Sequence, residues 1–308
     1  MISRRNIRIK VFQTIYELGQ QNDTTNSAQA ESYFTKKLDN TSALLGTISQ
    51  LIFLVCDYVL IHANQRASKH IVTEADLNVS TKIAGNLIVE GLKRNTQFSE
   101  LLKKEQISGS IDEDLVKKLF LQFSETPLYK TYISTSDRNL AEDKALIQSL
   151  VSICIFDNEN TTSFLSEKFL SWYTDSEMIQ GWIDKLIQTP SSFSFLKIIS
   201  KDKLEYAHDL IKCYYDKKEI VFGLIEPKLV NWDAERVALI DLILLHLGIC
   251  ELLYFPTIPV KVTINEYIDL AKSFSTLQSG QFVNGLLDNV RKELESEQKI
   301  NKQAFIKK

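Results

Sequence analysis

Along most of this chain the apolar residues recur every three or four positions, the spacing of helices with one buried face, rather than at the two-residue alternation of strands. Residues 4–18 align Ile7, Val11, Ile15 and Leu18 in one stripe and leave Arg4, Arg5 and Arg8 off it. Gln21 to Gln29 is polar and reads as a loop, after which helical patterns resume over Glu31–Leu38 and Leu44–Ala63. Shorter helices follow to about residue 200. Ser108-Gly109-Ser110 marks a turn, Asp112 or Ser110 can cap a helix through Phe123, and Ser136 or Asp137 can cap another reaching about Phe156.

The last third is the most legible. A nearly unbroken apolar run from Val237 to Tyr254 is stopped by Pro256 and Pro259. Thr263 to Glu266 then has the form of a capping box that starts a helix carrying Ile264, Ile268 and Ala271. Ser275 to Gly280 reads as a turn before a final helix with Phe282, Leu286, Val290 and Leu294 on one stripe. Gly285 lies inside that pattern, where it costs about 1 kcal/mol relative to alanine, so close helix packing or an approaching ligand is expected there. The tail from Glu295 to Lys308 is polar and expected to fray. With only 10 glycines and 5 prolines in 308 residues, the fold class is all-α.

A net charge of −3 excludes a uniformly basic nucleic-acid coat, so any polyanion contact has to come from a local patch. Cys56, Cys154, Cys213 and Cys250 are widely separated among apolar neighbours, which suits reduced core thiols. Leu44–Ile61 and Val237–Phe255 approach the roughly 18–20 residues of a membrane span. Gln50 and Asp57 in the first, and Asp241, His246 and Glu251 in the second, favour buried bundle helices instead. The arginines near the start precede no apolar leader, and a cytoplasmic location is expected.

Cations at the start of a helix oppose its dipole, so Arg4, Arg5 and Arg8 need another reason to be there. Ser3 is a plausible N-cap; Arg4 and Arg8 are one turn apart on one side, with Arg5 about 100° away. Guanidinium forks and free backbone N–H groups both suit phosphate, which makes a phosphate-rich ligand one reading. A solvated surface with ordinary ion pairs is the other. No phosphate loop, HExxH or GxSxG occurs, and the four histidines are scattered, His208-Asp209 included. Neither an enzyme nor a metal or cofactor site is expected.

Ser3-Arg4-Arg5-Asn6-Ile7-Arg8-Ile9-Lys10-Val11-Phe12-Gln13-Thr14-Ile15-Tyr16, Asn231-Trp232-Asp233-Ala234-Glu235-Arg236, Glu251-Leu252-Leu253-Tyr254, Pro259-Val260-Lys261-Val262-Thr263-Ile264-Asn265-Glu266 and Phe282-Val283-Asn284-Gly285 together resemble the NusB family. The resemblance implies a NusB-like helical bundle over residues 1–20 and 203–295, a large helical insertion over 21–202 like that of long Bacteroidetes forms, and a polar tail over 296–308. It implies a transcription antitermination factor of ribosomal RNA synthesis that binds boxA-like single-stranded RNA together with a small-subunit ribosomal protein, NusE, within the transcription elongation complex. Carried over, the RNA-binding residues are Arg4, Arg5, Arg8, Gln13, Gln281 and Phe282, and the partner-binding ones Tyr16, Asp241 and Gln278. This chain departs from the family pattern at Leu277-Gln278-Ser279, where an acidic residue is common, and at His246, where a basic one is. A protein-interaction scaffold with little RNA affinity and an RNA-modifying enzyme are the alternative readings.

Overall fold

The computed structural model describes residues 1–21, 25–229 and 237–303, and every regular element among them is helical. The chain groups into two compact units, Leu38–Ile198 and Ile2–Lys37 with Ile199 onward. These divisions fall at other residues than the expected 20/21 and 202/203.

α1 (Arg4–Gln21) belongs to the second unit, and α2 (Ser27–Ala67) contributes its residues through Lys37 to that unit and the rest to the first. The first unit continues with α3 (Glu74–Leu77), α4 (Leu87–Arg94), α5 (Thr96–Lys104), α6 (Glu113–Ser124), α7 (Pro127–Ile133), α8 (Leu140–Leu150), α9 (Glu159–Lys168) and α10 (Trp172–Gln188). α2 replaces the two helices expected around residues 39–43. The hydroxyls in that stretch are both satisfied without breaking the helix: Thr41 donates to Asp175 on α10 at 2.9 Å and Ser42 to the Leu38 carbonyl at 3.2 Å. It is also long and apolar enough to cross a bilayer, but its most apolar window is 72% buried within the protein, as a core helix would be. Asp112 caps α6 as expected, whereas α8 is capped by Asn139 rather than Ser136 or Asp137 and runs into a π-helical stretch, Val151–Phe156.

The second unit is completed by α11 (Lys201–Asp216), α12 (Lys218–Ile225), α13 (Leu239–Tyr254), α14 (Val260–Phe274) and α15 (Leu277–Ser296). α13 is its centre, packed by α1, α11, α12, α14 and α15, which explains why its sequence is apolar on nearly every side. α14 starts three residues before the expected capping box, with Pro259 as its N-cap. Thr263 is therefore inside the helix and fully buried, and its hydroxyl donates to Glu251 Oε1 at 2.7 Å instead of capping. α15 likewise begins inside the expected turn, with Thr276 accepting from the Ser279 N–H at 3.0 Å.

Two further expectations are corrected. A Cβ at Gly285 would meet nothing within 4 Å, so no close packing accounts for it. The tail does not fray up to residue 303: Lys302 Nζ donates to the Glu251 and Phe255 carbonyls, both at 2.8 Å, closing the end of α13, and the Gln303 N–H bonds the Pro256 carbonyl. All four cysteines are free and buried.

Candidate nucleic-acid interface

Ser3 begins α1 as expected, its hydroxyl accepting the Asn6 N–H at 3.1 Å, and the first turn of that helix holds no acidic residue. The three arginines then take three different environments. Arg4 is exposed, its guanidinium 5.8 Å above the Tyr206 ring, on the rim of a cleft of about 590 Å³ whose wall includes Asp202, Asp209, Lys212, Lys217 and Tyr254. Arg5 is partly exposed; its Nη1 lies 3.7 Å from Glu266 Oε2 and 3.7 Å from Asp269 Oδ2 on α14.

Arg8 turns inward. With 2% exposure it makes a bidentate pair with the fully buried Glu251, Nε to Oε2 and Nη2 to Oε1 at 2.8 Å each. Glu251 also accepts from the Tyr206 hydroxyl at 2.6 Å, Thr263 at 2.7 Å and Tyr267 at 3.4 Å. Burial by itself would lower the Arg8 pKa, but the bonds to Glu251 and the nearby tyrosines outweigh it, and the net shift is upward. Burial, reinforced by the Glu251 charge, pushes both Tyr206 and Tyr267 well above the ordinary tyrosine range. This network stitches α1, α11, α13 and α14 together and leaves no donor of Arg8 facing solvent.

The other expected residues divide in the same way. Gln281 and Gln278 are exposed on the first turns of α15; Phe282 is 7% exposed and is a core residue, as its stripe with Leu286 and Val290 requires. Gln13 is half-buried, and its Oε1 is a buried acceptor with no hydrogen-bond partner. Tyr16 is half-buried, its ring 6.0 Å from that of Phe12, which in turn lies 5.3 Å from Phe274. Asp241 is 5% exposed in the first turn of α13, so its carboxylate is not presented to a partner. The expected motif at residues 231–236 lies outside the described residues.

Exposed groups from three helices meet along one edge. Asp269 bridges Arg5 and Lys272, whose Nζ is 3.8 Å away. The Lys272 stem in turn lies across Gly280, where a Cβ would come within 2.6 Å of its Cγ, next to Gln281. Lys272 was not among the expected contacts. Its signal was the exposed spacing Asn265, Asp269, Lys272 on the outer face of α14.

A model of the NusB family matches residues 183–292. The chain is 34% identical over 118 residues to the transcription antitermination protein NusB of Finegoldia magna, a match covering 38% of this chain and 85% of that protein. The chain belongs to the NusB family. Proteins of the same name from Desulfatibacillum aliphaticivorans and Ruminiclostridium cellulolyticum are 36% and 40% identical over 102 and 94 residues, covering 33% and 30% of this chain and 71% and 65% of theirs. No solved structure matches. The NusB match takes in α11 to α14 and most of α15, and so contains Tyr206, Glu251, Glu266, Asp269, Lys272 and Gln281; from the far end of the chain Arg5 joins Glu266 and Asp269, and Arg4 lies over Tyr206.

Proposed function

We propose that this protein is an RNA-binding transcription antitermination factor acting on ribosomal RNA transcription, which engages a boxA-like single strand together with the small-subunit ribosomal protein NusE. The observation that carries the reading is the edge on which Arg5, Lys272 and Gln281 lie together, with Arg4 exposed one residue before Arg5 on the rim of the neighbouring cleft, within the unit that carries most of the NusB match. Guanidinium and ammonium groups there suit phosphates, and the glutamine suits base edges of an unstacked strand. Arg8 and Phe282 drop out of the contact set because both are buried, and Lys272 takes the third cationic place. Partner contact is assigned to Tyr16 and Gln278, with Asp241 acting only through the packing of α13. The unit Leu38–Ile198 is, in this reading, an elaboration on the family's bundle.

The test is titration of a boxA-type RNA over a salt series, with and without the ribosomal protein. About three phosphate contacts give a slope of log affinity against log salt near −2, and Arg4→Ala should flatten it by about 0.7. A slope indistinguishable from zero for the wild type would reject the reading. The burial of Arg8 and Phe282 favours one alternative, a protein-interaction scaffold with little RNA affinity. Recovery of the ribosomal protein by a chain that shows no RNA binding would establish that alternative.

A further inference from the structure

We propose that Glu266 and Asp269 restrain Arg5 and so set the threshold a phosphate must beat to bind this edge; the inference rests on the RNA-binding reading above. The contrast with Arg8 carries it. Arg8 spends its guanidinium on two 2.8 Å bonds, whereas the contacts of Arg5 to the two carboxylates are 3.7 Å each, longer than a normal N–H···O bond. Arg5 is attracted to both acids, and its donors remain open to a better-placed acceptor.

The two acids differ in how firmly they are held. Asp269 is about half exposed and can swing into water. Glu266 is less free: its Oε2 is buried, has no hydrogen-bond partner, and sits 3.5 Å from Arg8 Nη1 as well as 3.7 Å from Arg5 Nη1. A carboxylate that lies between two guanidiniums, with one oxygen buried, remains beneath Arg5 when a ligand arrives from solvent. An incoming phosphate must therefore take Arg5 from a resident anion and lie beside two like charges. Affinity for arbitrary polyanions falls, and a ligand that reaches Arg4, Lys272 and Gln281 at the same time is favoured over one that reaches Arg5 alone.

Glu266→Gln and Asp269→Asn keep shape and remove charge. Each is to be titrated with boxA-type RNA at two salt concentrations, in the wild-type and in the Arg5→Ala background. From the magnitude of partly exposed ion pairs, Glu266→Gln should tighten binding by about three- to fivefold and Asp269→Asn by about twofold when Arg5 is present. Neither should tighten binding when Arg5 is alanine, because the gain acts through that side chain. Equal tightening in both backgrounds would mean a general charge effect and overturn the inference, as would no tightening beside an intact Arg5 effect. If the wild type binds RNA with a salt-dependent affinity and Arg5→Ala leaves that affinity unchanged, this inference fails while the RNA-binding reading stands; a wild type with no salt dependence rejects the reading itself. Should loss of the Arg8 contact unfold Glu266→Gln, as its melting temperature would reveal, Asp269→Asn decides the matter, since among the described residues the Asp269 carboxylate pairs with Arg5 and Lys272 and not with Arg8.

Discussion

Arg8→Ala separates the structural arginine from the surface ones. Truncation removes two charge-assisted hydrogen bonds and leaves Glu251, with 0% exposure, holding a carboxylate supported only by hydroxyls from Tyr206, Thr263 and Tyr267 on the side-chain side. Removing one partner of a buried ion pair costs about 3–5 kcal/mol, because the other charge stays behind in a medium that solvates it poorly. At about 2–4 °C per kcal/mol for a unit of this size, the melting temperature should fall by roughly 6–20 °C. Arg4, exposed at the cleft rim, should change stability by no more than about 0.5 kcal/mol when replaced by alanine. Glu251→Gln placed on top of Arg8→Ala should restore part of the loss by removing the stranded charge. Calorimetry and urea denaturation of the three variants supply the comparison. An Arg8→Ala protein that melts with the wild type yet binds RNA more weakly would refute the reasoning and return Arg8 to the RNA surface.

Other outcomes follow from single features. Burial, with Lys218 nearby, depresses His246 to about 4, below its ordinary 6.5, so the unfolded chain takes up the proton first; stability present above pH 6.5 should fall by about 3 kcal/mol by pH 4. His246→Phe, placed against Tyr214, whose ring is 4.4 Å from the imidazole, should make the urea midpoint less dependent on pH over that window. Gly285→Ala meets no neighbour and should stabilise α15 by about 0.5–1 kcal/mol in thermal denaturation; a loss instead would mean that the glycine is needed for packing. Lys302→Ala uncaps α13 and should cost about 1–2 kcal/mol in the same assay, whereas an unchanged melting point would show that the tail adds nothing.

Where a feature depended on neighbours in sequence, it was readable. The Ser3 and Asp112 caps, the all-α class and the buried run of α13 are of this kind. The misreadings came from contacts that no local window contains. Thr263 and Glu266 have the spacing of a capping box, but the acceptor of the Thr263 hydroxyl is Glu251, one helix earlier, and Glu266 faces α1. Arg8 shares one side of α1 with Arg4 in the sequence pattern, yet its counterion is 243 residues away and buried. Phe282 and Asp241 are contacts that the resemblance implies, and both are buried; for Phe282 the stripe it shares with Leu286 and Val290 already points inward, whereas nothing along α13 marks Asp241 as buried. Lys272 went unnoticed for the converse reason: nothing in its own sequence neighbourhood shows that Arg5 and Gln281 come near it.

The arrangement around Glu251 also limits how such a protein can change over time. One carboxylate receives donors from Arg8, Tyr206, Thr263 and Tyr267, contributed by three other helices, so a change at Glu251 or Arg8 strands the other's charge and a change at any of the three hydroxyl residues takes a donor from the same carboxylate. Sequences that drift one substitution at a time are confined there, and variety must accumulate on the outer faces, among residues such as Lys261, Asn265 and Ser273 that solvent can reach.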